Sequence, residues 1–181
     1  MLKSINKIFL IISVIPKIGY WNFFYAIWYK LTLKLGFRKN LFKSGPCVEG
    51  VFFNSTRKSE DPEIVIFENE IINSAKEILD GKFTWFSFHK FKLEFDPIWF
   101  YNPFEKQLHK QTTNHWTEIS DFNDGDIKVI WELSRFDWLT VLARAYKISG
   151  DVIYLNKLND LLNDWAKHNP LNIGPNWKCG Q

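Results

Sequence analysis

Residues Gly125–Gln181, GDIKVIWELSRFDWLTVLARAYKISGDVIYLNKLNDLLNDWAKHNPLNIGPNWKCGQ, decide the fold of this chain. Large apolar residues recur at intervals of three and four between Ile130 and Ile148, which predicts one helix with a buried face. They are Trp131, Phe136, Trp138, Leu139, Leu142 and Tyr146. Ser149-Gly150-Asp151 then predicts a left-handed helix end at the glycine and an N-cap at the aspartate.

A second predicted helix follows, and the Asn169-Pro170 step ends it. Its apolar stripe is Tyr154, Leu158, Leu161, Leu162 and Trp165. Two helices cannot bury such stripes alone, so they need further helices around them. We therefore expect the chain to be the front part of a longer protein.

Three segments, in order and at this spacing, carry a family resemblance. GDIKVIWELSRF, LARAYKISGD and NDWAKHNPLNIGPNWKCGQ resemble the N-terminal helical region of heparinase II/III-like polysaccharide lyases, and the likeness runs from ILDGKFTWF onward. In that family the region opens an incomplete (α/α) toroid, which a large antiparallel β-sandwich follows. The resemblance implies a mainly α fold, the start of such a toroid, with a lyase scaffold beyond it.

The rest of the chain predicts less regular structure. Residues 1–60 are expected to form a basic, aromatic N-terminal helix and a linker with a short strand at 51–53, and residues 61–181 the toroid segment. Asp61-Pro62 predicts the start of a helix over 63–79 that Gly81 ends. Alternation over 82–95 predicts a short strand or hairpin, and 96–123 an irregular surface segment.

Composition excludes some partners and keeps others open. The formal net charge is +3, which is too small for a strong nucleic-acid field, although most of the excess lies in the first sixty residues. Trp, Tyr and Phe form 18% of the chain, which suits a packed core or a platform for sugar rings. The basic segment suits an acidic polysaccharide, an anionic membrane surface or an ordinary solvated face.

The N-terminal residues resemble an export signal only in part. An apolar run over 8–15 follows Lys3 and Lys7, but no small-residue cleavage site comes after it, and the run is too short to span a membrane. Residues 20–35 predict an amphipathic helix that either packs on the helical domain or makes peripheral membrane contact. This pattern slightly favours a cytoplasmic or membrane-peripheral location over a periplasmic one.

Elimination from a uronic-acid polymer requires a group that neutralises the sugar carboxylate, a base and an acid. The family's asparagine, tyrosine and histidines in these roles lie downstream of the position equivalent to Gln181, so no catalytic residue is assigned. The predicted substrate-binding residues are Glu132, Arg135, Asn176 and Trp177. Arg135 could clamp a sugar carboxylate, and Asn176 and Trp177 lie in a loop that would border a toroid cleft. The alternatives are a helical ion pair and loop packing.

Other motifs add little. His168 suits a helix C-terminus, and His115 is the histidine to test for ligand contact. Cys47 and Cys179 have no metal spacing and support no disulfide. No phosphate loop, HExxH or G-x-S-x-G occurs, so we predict neither cofactor nor metal.

Two further functions remain open besides the lyase. The LARAY and SGD pattern is also typical of a TPR-like interaction module, although no second copy follows at about 34 residues. The third is a membrane-surface protein in which the N-terminal helix is the main functional element.

Overall fold

The computed structural model describes residues 14–54, 67–94, 98–122 and 125–178. The chain divides into two compact units, Met1–Lys43 and Ser44–Gln181. We call them unit 1 and unit 2. The boundary predicted at residue 60 lies outside the described residues, and so do the predicted helix start at Asp61-Pro62 and most of the 8–15 run.

Unit 1 is helical. Residues 14–18 are helical, α1 spans Tyr20–Lys34 and α2 spans Phe37–Leu41. Arg38 ties α2 to the last turns of α1, because its Nε donates to Thr32 Oγ1 at 3.1 Å and its guanidinium lies 4.1 Å from the centre of the Tyr29 ring. The helix predicted over 20–35 is present as α1. Within the described ranges, no helix is long and apolar enough to cross a membrane.

The described residues of unit 2 form mainly four helices, which confirms the mainly α prediction. They are α3 (Glu68–Leu79), α4 (Ile127–Ser134), α5 (Asp137–Ser149) and α6 (Val152–His168). Helix α5 packs against both α3 and α6. The shared core includes Ala75, Leu142, Ala145 and Leu158, each at most 1% exposed.

The helix predicted across Ile130–Ile148 is wrong as a single element. It breaks between α4 and α5, where Phe136 has a left-handed φ of 62°. The break lets the Trp138 indole donate to Leu133 O at 3.0 Å, and Phe136 packs edge-on against both Trp138 and Trp165. The three-and-four spacing continues through the break, so periodicity alone does not reveal it.

The helical hairpin that follows is confirmed. Gly150 ends α5 at φ 71°, a conformation that costs glycine nothing, and the Asp151 side chain accepts from Ile153 N to cap α6. Because the connection is so short, α5 and α6 are antiparallel neighbours. Of the stripe residues named above, Trp138, Leu142, Tyr154 and Leu158 are buried, whereas Tyr146 and Trp165 are half-buried.

The described part of unit 2 also contains two small antiparallel sheets. The predicted hairpin forms from β1 (Lys82–Trp85) and β2 (His89–Lys92), with Phe83 opposite Phe91. Within the segment predicted to be irregular, β3 (Tyr101–Asn102) pairs with β4 (Gln107–Leu108). Short 3₁₀ turns lie at Ile98–Phe100, Trp116–Glu118 and Pro175–Lys178.

The strand predicted at 51–53 is wrong. This segment is extended but is hydrogen-bonded to side chains of α6 instead of to a strand. Asn159 Oδ1 accepts from Phe52 N and Phe53 N at 3.0 Å, and Asn163 Oδ1 accepts from Gly50 N at 2.7 Å. One turn apart on α6, the two asparagines take the place of a partner strand.

Candidate functional site

The tip of the β1–β2 hairpin has an unusual backbone. In the three-residue loop between Trp85 and His89, Phe86 and Ser87 have left-handed φ values of 50° and 67°, a conformation that normally favours asparagine and glycine. The Phe86 N–H donates to Glu132 Oε2 at 3.0 Å, and the Trp85 indole donates to Val129 O at 3.0 Å. Helix α4 therefore holds the hairpin tip through these two hydrogen bonds.

Glu132 and Arg135 form one unit at the end of α4. The Glu132 side chain is 5% exposed, and its Oε1 lies 2.5 Å from Arg135 Nη1 in an ion pair that lacks hydrogen-bond alignment. The Arg135 side chain is 52% exposed. One end of the pair thus holds the hairpin tip, while the other presents a guanidinium to solvent.

A cleft runs between the hairpin and helices α3, α4 and α5. It combines hydroxyl groups, two lysines, three carboxylates and an apolar floor. Lys90 Nζ and Glu77 Oε2 lie 2.5 Å apart in an ion pair across it. The lining residues are Ser74, Glu77, Ile78, Lys82, Phe83, Thr84, Ser87, Lys90, Glu132, Leu133, Asp137, Trp138 and Val141.

Aromatic rings gather around the β1–β2 hairpin, outside the lining of the cleft. Phe104 is the centre of the group, with ring centroids 6.2 Å from Phe86, 5.2 Å from His89 and 5.0 Å from Phe91. Phe88 lies 4.5 Å from His89 and is 72% exposed. We call Phe86, Phe88, His89, Phe91 and Phe104 the aromatic ridge. The faces of such rings, which carry negative partial charge, attract the C–H groups of a ligand.

Asn176 lies in a buried polar knot centred on Asn169. The Asn176 amide donates to Asn169 Oδ1 at 2.8 Å, and Asn169 itself is fully buried. Asn169 O accepts from the Cys47 thiol at 3.0 Å and from the Trp177 indole at 3.2 Å. The knot therefore joins the end of α6 to the loop that follows and to the segment around Cys47.

The half-buried Trp177 ring packs on Trp165 at 6.0 Å, and Trp165 in turn donates to Ser134 Oγ on α4 at 2.9 Å. Of the four residues predicted to bind substrate, Glu132 lines the cleft described above, whereas Arg135, Asn176 and Trp177 are not among its lining residues. Helix α4 and the Trp165 ring connect Glu132 and Arg135 with Asn176 and Trp177. Their role in binding stays a prediction.

The histidines and Cys47 have structural surroundings. His115 is buried and its Nδ1 accepts from Thr117 N, so it caps the 3₁₀ turn at Trp116–Glu118. His168 Nδ1 lies 2.9 Å from Asp164 O in the last turn of α6, as predicted for a helix C-terminus. Burial raises the pKa of the Cys47 thiol, and Cys179 lies outside the described residues. In the described part of the chain, no cluster of three acidic, histidine or cysteine side chains could hold a metal ion.

Sequence reasoning missed the cleft and the ridge. Lys82, Lys90 and Phe88 lie in a segment whose alternation predicted the hairpin, but its turn was not located because Phe86-Ser87 lacks asparagine or glycine. Phe104 comes from a different segment, and one sequence has no signal for that contact. The run of aromatics in KFTWFSFHKF was the available clue.

Comparison with known proteins gives two findings. The family model described as Heparinase II/III N-terminus matches residues 50–179. A "Heparin-sulfate lyase" from Bacteroides stercoris is 39% identical over 46 residues, which are 25% of this chain and 7% of that protein. No solved structure matches the chain. Because the family model covers most of the chain, this protein belongs to the heparinase II/III N-terminus family.

Proposed function

We propose that this chain is the N-terminal part of a polysaccharide lyase-like protein that acts by β-elimination on a uronic-acid-containing polysaccharide. Unit 2 would then open an (α/α) toroid. The observation that carries the proposal is the family match over residues 50–179. It favours the lyase over the helical-repeat alternative, and the name of the matched relative is consistent with it.

The chemistry of the cleft supports an acidic substrate. A uronate ring offers a carboxylate, several hydroxyls and an apolar C–H face. Lys82 supplies positive charge for the carboxylate, since Lys90 is paired with Glu77, while Thr84 and Ser87 supply hydroxyls. The aromatic ridge supplies the stacking surface. These groups serve to bind a polymer. The proton transfers of elimination require other residues, which act as base and acid.

The four residues predicted from sequence take different parts in this proposal. Arg135 contacts a sugar carboxylate, since its side chain is half-exposed. Glu132 orients Arg135 and the hairpin tip. Trp177, which is half-buried, offers the exposed part of its ring to a sugar, and Asn176 holds the loop that carries Trp177 through its bond to Asn169.

The experiment measures binding and turnover together. The purified chain is titrated with heparin, heparan sulfate and alginate at rising salt, and product formation is followed by the ultraviolet absorbance of the unsaturated sugar. We expect binding that weakens with salt and no turnover by the chain alone. Turnover by the chain would contradict the assignment of catalysis to residues beyond it. Absence of binding to all three polymers would remove the support for an acidic substrate.

Variants locate the binding surface. Arg135→Ala and Lys82→Gln should each weaken binding by about tenfold at low salt, because each removes a charge-assisted contact, and the difference should shrink as salt rises. Arg144→Ala and Lys76→Gln, at exposed positions outside the cleft lining, are the matched controls. Trp177→Ala should weaken binding with little salt dependence. Equal affinity of all variants, with folding intact by circular dichroism, would move the binding surface elsewhere.

A further inference from the structure

Helix α1 of unit 1 has an exposed apolar face. Five large residues recur at intervals of three and four along it, and every one is exposed. Trp21 is 83% exposed and Trp28 is 62% exposed. The others are Phe24, Tyr25 and Leu31. A continuous face of this kind marks an interaction surface and not the scatter of single apolar residues found on any protein.

The charges around this face have one sign. No aspartate or glutamate occurs before Glu49. Lys30 and Lys34 are exposed on α1, Lys39 follows on α2, and Lys17 precedes α1. An apolar face on a helix whose charged residues are the lysines Lys30 and Lys34 is complementary to a surface that is apolar inside and negative outside.

The length of α1 determines how it could meet such a surface. Its 15 residues extend about 22 Å, which is short of the ~30 Å hydrocarbon core of a bilayer. On a bilayer, a helix too short to span the core lies in the plane of the interface, with its apolar face at the boundary of headgroups and acyl chains. Trp and Tyr are the residues that prefer this depth.

We propose that α1 docks unit 1 onto an anionic lipid surface, with Trp21, Phe24, Tyr25, Trp28 and Leu31 in the interface and Lys30 and Lys34 against lipid phosphates. An acidic polysaccharide would satisfy the lysines, but its hydrated chain would leave Leu31 and the aliphatic part of the face exposed to water. The lipid surface accounts for both the charge and the apolar face. This docking is independent of the proposed lyase activity.

The test is flotation of the full chain with vesicles of phosphatidylcholine alone and with added phosphatidylglycerol. We expect binding to the anionic vesicles that weakens with salt, and weaker binding to the neutral ones. Lys30→Gln/Lys34→Gln should lower affinity for the anionic vesicles by roughly 25-fold, at about fivefold per lysine, and leave the neutral vesicles unaffected. Trp21→Ala/Trp28→Ala should lower affinity for both by at least about tenfold.

Matched controls come from unit 2. Phe122→Ala removes an exposed ring, and Lys128→Gln/Lys167→Gln removes two exposed lysines, so both should bind as the parent does. Failure of the parent chain to float with anionic vesicles would overturn the proposal. So would unchanged flotation of the tryptophan variant, or an equal loss in the unit 2 controls. Loss of heparin binding in the lysine variant, without any vesicle binding by the parent, would assign the face to a glycan instead.

Discussion

The tryptophans of α1 and those of unit 2 have opposite surroundings. Trp21 and Trp28 are exposed, whereas Trp85 and Trp99 are almost completely buried. In unit 2 the indole N–H groups have acceptors on other segments, such as Asp164 Oδ2 for Trp99 at 2.6 Å and Pro175 O for Trp131 at 2.9 Å. Burial of an indole requires such an acceptor.

The comparison shows that high aromatic content has two physical meanings in one chain. In unit 2 the buried tryptophan rings, their acceptors and the helices form a packed core. On α1 the rings form a surface. The residue type is the same in both places. What distinguishes a buried tryptophan is the acceptor for its indole N–H, and that acceptor comes from elsewhere in the chain. The following experiments test how far this difference extends.

The largest expected effect comes from a matched pair of leucines. Leu142 is fully buried and Leu35 is 72% exposed. Leu142→Ala should lower the free energy of unfolding by ~2–5 kcal/mol, because it removes buried area and leaves a cavity. Leu35→Ala should change it by less than about 0.5 kcal/mol. Chemical denaturation followed by circular dichroism measures both. Similar losses in the two variants would show that unit 1 has a core comparable to that of unit 2.

The second experiment removes an indole acceptor. Asp164→Ala deletes the carboxylate that accepts from the Trp99 indole, and Trp99 is 1% exposed. The unpaired buried N–H should cost about 1–3 kcal/mol in the free energy of unfolding. Asp160→Ala, at an exposed position on the same helix, is the control and should have little effect. If Asp164→Ala were as stable as the parent, the acceptor would not be what distinguishes buried from exposed tryptophans.

These differences explain what the sequence could predict. Spacing located α5, α6 and their turn at Gly150-Asp151, because local signals and the buried stripe agree there. It missed the break at Phe136, where a left-handed residue is held by contacts with Trp138 and Trp165. It predicted a strand at 51–53, where a side-chain amide of α6, that of Asn159, accepts from the backbone N–H of Phe52 in place of a partner strand. Arg135 and Glu132 could be paired from their spacing, but the contact of Glu132 with Phe86 is tertiary.

The third experiment concerns the strained tip of the β1–β2 hairpin, which lies outside both the tryptophan core of unit 2 and the exposed face of α1. Ser87 has φ 67°, a left-handed conformation that favours glycine. Ser87→Gly should therefore raise the free energy of unfolding by about 0.5–1 kcal/mol if Glu132 continues to hold Phe86. Ser74→Gly, in the interior of α3, is the opposite control and should be destabilising. A destabilised Ser87→Gly would show that the serine side chain contributes more than its backbone costs.

The smallest effect tests the polar knot that closes the end of α6. Burial raises the pKa of the Cys47 thiol, and its Sγ also donates to Asn169 O at 3.0 Å, so the reactive thiolate is disfavoured. In a Cys179→Ser background, Cys47 should react with a thiol reagent more slowly in the folded chain than in the chain unfolded by denaturant. Between about pH 8 and 10 the folded rate should keep rising after the unfolded rate has levelled off, because the folded pKa is the higher one. Equal rates in both states would place the thiol in water and remove it from the knot.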